Sequence, residues 1–223
     1  YLGAAKFLRD DEMDKNEIGV VNGLAWTSVG GEVLHIEATT MQGKGGLALT
    51  GQLGDVMKES VQAALAYIRA HGSDFHIAPE WFQENEIHVH VPAGAVPKDG
   101  PSAGCAMVTA LVSVLTRTAV KKDVAMTGEF SLRGKVMPIG GLKEKILAAV
   151  RAGMKTVIIP EQNKKDLEDI PKEMQKKVRI VPVKEIDEVL KLALERYPIP
   201  APKGKPKSAI PKVMVRPDRE ITA

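Results

Sequence analysis

Ser102 lies in the run Pro97-Lys98-Asp99-Gly100-Pro101-Ser102-Ala103-Gly104, where chain breakers give way to an apolar, helix-forming stretch over 103–115. The pattern puts a hydroxyl at a helix mouth. Unpaired backbone N–H groups there point outward and the helix dipole favours negative charge, so the place suits an oxyanion as well as a nucleophile. The chemistry this predicts is acyl transfer. A serine before a helix is also the commonest N-cap, which needs no chemistry to explain it. What favours catalysis is a second segment that supplies candidate bases: Met126-Thr127-Gly128-Glu129, then Leu132-Arg133-Gly134-Lys135, then Gly140-Gly141-Leu142-Lys143-Glu144-Lys145.

A lysine takes a serine proton near neutral pH only when its amine form is populated, and a free ammonium, with a pKa of about 10.4, is the wrong species. Lys145 precedes Ile146-Leu147-Ala148-Ala149-Val150, so one face of its helix is apolar and burial there would lower its pKa. The competing structural explanation is a lysine that snorkels from an amphipathic helix and pairs with Glu144 or Asp99. Lys143 and Lys98 are rival bases. Lys143 is turned to a different helix face from Lys145, so only one of the two can readily face Ser102. Lys98 is close to Ser102 in sequence but sits in a Pro/Gly-bounded loop where water should keep it charged. Spacing alone excludes neither rival.

Together the two segments resemble the proteolytic domain of the Lon family of ATP-dependent serine proteases. The similarity extends from about Gly19-Val20-Val21-Asn22-Gly23-Leu24-Ala25-Trp26-Thr27, through Ile87-His88-Val89-His90-Val91-Pro92, to about Leu194. The resemblance implies a Ser-Lys dyad in which the serine of the PKDGPSAG run, Ser102, is the nucleophile and the second lysine of GGLKEK, Lys145, is the base. It implies that Thr127, at the family's MTGE position, orients that lysine, and that Asp99 contributes to site geometry; on the bland reading they are a strand-end threonine and a turn aspartate. The oxyanion donors would be backbone N–H groups of Ser102 and Ala103. For the full enzyme it implies a hexameric ring acting on unfolded, damaged or regulatory proteins. ATP and Mg2+ would serve an ATPase module that precedes the protease and is absent from this sequence, and the proteolytic domain itself would need no cofactor. The expected compartment is the bacterial cytoplasm, with the mitochondrial matrix as the alternative.

Other candidates point elsewhere. His88 and His90 are two apart in a strand and share a face, which would permit metal ligation, but no third ligand is evident. Cys105 is a small thiol inside an apolar helix and reads as packing. Neither Gly43-Lys44-Gly45-Gly46 nor Gly51-Gln52-Leu53-Gly54 continues as a phosphate-binding loop. One cysteine in 223 residues excludes an internal disulfide, and no apolar stretch reaches membrane-spanning length. The net charge of +3 does not by itself imply nucleic acid.

These residues need a scaffold, and with 44% hydrophobic content and few aromatics the chain can bury one aliphatic core. Alternating β-branched residues and glycine pairs over 18–50 predict strands and hairpins. Met57, Val61, Ala64, Leu65 and Ile68 recur at helical spacing over 55–70. Strands follow at 87–91, 124–126, 133–137, 156–159 and 178–183, with helices at 103–115, 143–152, 164–169 and 186–195. Strands lead and helix–strand units follow, so the fold class is α+β. Residues 1–15 read as a linker and 16–197 as the proteolytic domain. Residues 198–223 read as a flexible Pro/Lys-rich tail whose lysines offer weak contact with a polyanion such as nucleic acid.

Overall fold

A computed structural model describes residues 15–27, 30–92 and 98–199. The expected linker up to residue 14 and the tail from residue 200 lie outside the described residues. Alternation in the first third becomes three strands, β1 (Val20–Thr27), β2 (Gly30–Gln42) and β3 (Gly46–Thr50). The helical repeat over 55–70 becomes α1 (Asp55–Ala70), with Met57, Val61, Ala64, Leu65 and Ile68 buried. The short helix α2 (Trp81–Glu84) leads into β4 (Asn85–His90). A 3-10 turn over Pro101–Ala103 opens α3 (Gly104–Thr116). Strand β5 (Val124–Met126) and the hairpin β6 (Glu129–Phe130) and β7 (Val136–Met137) precede α4 (Leu142–Arg151). Strand β8 (Thr156–Pro160), α5 (Lys172–Gln175), β9 (Arg179–Val183) and α6 (Ile186–Ala193) complete the order. The short helix expected over 164–169 is a 3-10 segment spanning Glu161–Asp169.

Seven strands form one mixed sheet in the order β3-β4-β2-β1-β5-β8-β9. Strand β1 is antiparallel to β2 and parallel to β5, and β5, β8 and β9 run parallel to one another. Period-two alternation sorts side chains to two faces. Val21 and Ile36 face α1 and α3, whereas Leu24 and Val33 face α4 with Ile146, Ala149, Val157 and Ile159. Helix α3 is buried from Gly104 to Ser113, as its continuous apolar run requires. The fold class is therefore α+β, with the strand-rich half first. Ile199 still packs against the first core, and the His76 ring pairs with its carbonyl at 3.2 Å.

Candidate active site

The Ser102 loop is anchored to the start of α1. That helix begins at Gly54, which has no side chain to cap it, and the carboxylate of Asp99 supplies the cap from 42 residues downstream. Its Oδ1 accepts the N–H of Met57 at 3.0 Å and that of Gly100 at 2.9 Å. A Cβ on Gly54 would stand 2.2 Å from Asp99 Cγ, so the cap needs glycine there. The backbone of Lys98 is tied to the same segment, accepting from Gly54 at 2.7 Å and donating to Gln52 at 3.1 Å. Gly100, at φ 131°, then turns the chain into the 3-10 turn.

Within that turn the Ser102 carbonyl accepts Gly128 N–H at 2.9 Å and the Thr127 hydroxyl at 3.3 Å. Its own hydroxyl is uncommitted: the N-cap of α3 is Ala103, no side chain caps either helical segment, and Ser102 Oγ has no hydrogen-bond partner among the described residues. Capping therefore does not account for this serine. Ser102 N–H opens the turn, where no intrahelical carbonyl precedes it, and Ser102 and Ala103 both line the adjacent cleft.

Helix α4 carries Lys145 into the opposite wall. Its approach to β2 is close enough that a Cβ on Gly31 would lie 2.1 Å from the Glu144 carbonyl oxygen. Lys145 is 2% exposed, and burial lowers its pKa from 10.5 to about 8. Its Nζ donates to Thr127 Oγ1 at 3.1 Å. Because the one Thr127 proton goes to the Ser102 carbonyl, Thr127 can only accept from the lysine. The lone pair of a neutral Lys145 consequently points away from Thr127. Lys145 and Ser102 line the same cleft without a direct side-chain hydrogen bond.

The rival lysines divide. Lys143 is exposed on the outer face of α4, as its spacing requires. Lys98 departs from the expectation of a solvated side chain: it is 6% exposed, lines the cleft, and donates from Nζ to the Gly51 carbonyl at 3.3 Å. Burial lowers its pKa, against the attraction of Glu32. The Pro/Gly signals are silent about the pairing of Lys98 with Leu53, which folds this segment back on residues 51–54. Both lysines are thus withdrawn from solvent, Lys145 is the one lowered as far as about 8, and Lys145 bonds Thr127.

The cleft has a volume of about 500 Å³, and Leu24, Trp26, Met57, Pro138 and Ile139 give it apolar walls. Strand β5 pairs with β1 at Asn22 and Gly23, and Leu24, Ala25, Trp26 and Thr27 continue β1 beyond that pairing. All four line the cleft. Sequence reasoning passed over Trp26 as a site residue; its signal was an aromatic at a strand end, and it is 57% exposed.

The remaining candidates lie apart from this constellation. His88 and His90 share a face, as expected, and both bond Thr50 Oγ1, at 2.9 and 2.6 Å. No group of three or more metal-ligating side chains occurs among the described residues. Cys105 is 1% exposed and burial pushes its thiol up to about 12, so it is unreactive packing. No helix among the described residues is long and apolar enough to cross a membrane.

Residues 1–196 match the family model for the Lon protease (S16) C-terminal proteolytic domain. The chain is similar to the Lon protease of Trichlorobacter lovleyi, at 87% identity over 223 residues, all of this chain and 27% of that protein. It is 66% identical to the Lon protease of Geobacter metallireducens over 212 residues, 94% of this chain and 26% of that one. Against the Lon protease of Xanthomonas oryzae the identity is 57% over 218 residues, 97% of this chain and 26% of the relative. The chain thus spans about a quarter of the length of these curated relatives.

Proposed function

The chain belongs to the family of Lon protease (S16) C-terminal proteolytic domains, and from that premise we propose that it cleaves peptide bonds through Ser102 and Lys145. The observation that carries the assignment is the relay from Lys145 Nζ through Thr127 Oγ1 to the Ser102 carbonyl, beside a serine hydroxyl that has no hydrogen-bond partner among the described residues. Neutral Lys145 takes the Ser102 proton as Oγ attacks the substrate carbonyl. Backbone N–H groups of Ser102 and Ala103 receive the oxyanion. The Lys145 ammonium returns its proton to the leaving amine, which departs and leaves an acyl-enzyme. Neutral Lys145 then activates water, whose attack releases the carboxylic acid and restores the serine. The reaction requires Ser102 Oγ to come within hydrogen-bond reach of the lysine across the cleft they share; catalytic hydrogen bonds commonly tighten only with substrate in place. Thr127 orients the base and Asp99 holds the nucleophile's loop against α1. The end of β1 from Leu24 to Trp26 lines the cleft as extended backbone, which suits a substrate in extended form, and such a substrate is an unfolded chain.

The wider setting is part of the same proposal. The longer proteins assemble as hexameric rings in the bacterial cytoplasm and degrade unfolded or damaged proteins, with ATP and Mg2+ serving an ATPase portion outside the matched region. The Lys-rich segment 198–223 makes at most a weak contact with nucleic acid. The test of the dyad is peptide release from an unfolded protein by wild type, Ser102→Ala and Lys145→Ala without ATP, over about pH 6 to 10. Cleavage by wild type alone, rising about tenfold per pH unit below about 8 and levelling above it, is the expected result. Cleavage that survives Ser102→Ala refutes the mechanism.

A further inference from the structure

Asn163 is one of the few buried polar side chains, at 2% exposure, yet it comes from the charged 3-10 segment Glu161–Asp169. Its Oδ1 accepts Ile139 N–H at 3.0 Å, and its Nδ2 donates to the Ile139 carbonyl at 2.8 Å and to Asp166 Oδ2 at 2.6 Å. The amide orientation is fixed by chemistry, since a flip would set its oxygen against a carbonyl and a carboxylate. One side-chain amide thus grips both polar groups of a single residue, as a neighbouring strand would. That grip requires Ile139 N–H and C=O to point the same way, which is extended backbone. Along an extended chain the next residues point their polar groups oppositely, so the Pro138 carbonyl and Gly140 N–H turn away from Asn163. Pro138, Ile139 and Gly140 all line the cleft that holds Ser102 and Lys145. Leu24, Ala25 and Trp26 at the end of β1 line the same cleft.

We propose that Asn163 is a positioning residue for proteolysis: by gripping Ile139 at its amide and its carbonyl, it fixes Ile139 and its two flanking peptides as a wall along which the substrate main chain aligns. The inference rests on the protease reading of this cleft. Asn163 touches neither the substrate nor Ser102 and acts through Ile139. The same segment runs through Gly141, whose carbonyl accepts Lys145 N–H at 3.1 Å, into α4, so an effect on the wall must be separated from an effect on the base.

The experiment compares Asn163→Ala, the isosteric Asn163→Asp, which keeps an acceptor for the amide but loses the donor for the carbonyl, and Asp166→Ala, which leaves the grip intact. Hydrogen exchange at the Ile139 amide reports the grip. Binding of a fluorescent unfolded peptide, measured in a Ser102→Ala background, reports the wall independently of cleavage. In the active background, KM, kcat and the rate of Ser102 labelling by a small fluorophosphonate separate alignment from chemistry. Asn163→Ala is expected to speed Ile139 exchange and weaken peptide binding by about tenfold each, raising KM while labelling and the pH midpoint of kcat stay put. Asn163→Asp, which sets an oxygen against the Ile139 carbonyl and the Asp166 carboxylate, is expected to weaken binding and Ile139 protection at least as much as Asn163→Ala, and Asp166→Ala to stay near wild type. Unchanged peptide affinity in Asn163→Ala overturns the inference, as does labelling that falls in step with cleavage. Failure of the protease reading would appear separately, as cleavage by Ser102→Ala or no labelling of wild type.

Discussion

Replacing Lys145 by methionine should abolish cleavage and make the protein more stable at pH 7. A pKa held at about 8 instead of 10.5 means that burial disfavours the ammonium by about 3 kcal/mol, at about 1.4 kcal/mol per pH unit. At pH 7 the lysine is mostly protonated in both folded and unfolded states, so the folded protein bears that penalty in full. Methionine removes the charge at similar volume and forfeits one hydrogen bond to Thr127, about 1 kcal/mol. The net gain is about 2 kcal/mol, or about 4–8 °C in Tm for a domain of this size. The sign with pH follows from proton counting. Between about 8 and 10.5 the unfolded state binds more protons at this site than the folded state, so wild-type stability rises relative to the variant as pH increases through that window. Thermal or urea unfolding of both proteins at pH 7, 8.5 and 9.5 should show the methionine advantage full at 7 and shrinking thereafter. A variant less stable than wild type at pH 7, or an advantage that does not change with pH, refutes the claim that burial of an uncompensated charge tunes this lysine.

Three further substitutions test the surroundings of the dyad. Thr127→Val removes the oxygen that accepts from Lys145, a bond that favours the ammonium over the amine; kcat should fall by about 100-fold and the acidic limb of the rate profile should move below about 8. Gly31→Ala acts in the opposite sense, because its Cβ would meet the Glu144 carbonyl and push α4 outward, admitting water to Lys145 and moving that limb upward towards 10.5. Rate profiles that move the same way in both variants would contradict the assigned causes. Asp99→Ala strips the acceptor from Met57 and Gly100 N–H, so unfolding experiments should show a loss of about 1–2 kcal/mol, with Asp99→Asn intermediate.

What the sequence disclosed about this site was local, and what it withheld was pairing between distant segments. The breakers before Ser102, the apolar run after it and the helical repeat over 55–70 each act within one or two turns, and each became the expected element. The apolar face following Lys145 allowed a buried lysine without selecting it over a snorkelling one, and the two-residue spacing turned Lys143 to another face. Lys98 and Asp99 read as solvated turn residues because the partner that buries and uses them, the segment 51–57, lies more than 40 residues away. Asn163 was invisible for the same reason. An asparagine amid lysines and acids signals solvent, and only the docking of Ile139 against it makes it a buried clamp. The four-residue helices α2 and α5 are too short to display a period at all.

The physical economy of the site lies in one quantity that appears twice. At pH 7 a lysine of pKa about 8 is neutral in about one molecule of eleven, whereas one at 10.5 is neutral in about one of three thousand, a gain of nearly 300-fold in competent base. The free energy behind that ratio is the same one that destabilises the folded chain. Burial is the cause of the shift, so the base is tuned by exclusion of water through packing, to which the close approach of the bare Gly31 backbone to Glu144 contributes. Tuning by packing makes the base as sensitive to backbone spacing as to its own identity. A glycine on β2 with no functional group therefore belongs to the catalytic argument as firmly as the hydroxyl of Thr127, and no substitution that relaxes the burial of Lys145 can keep both the stability it releases and the reactivity it sustained.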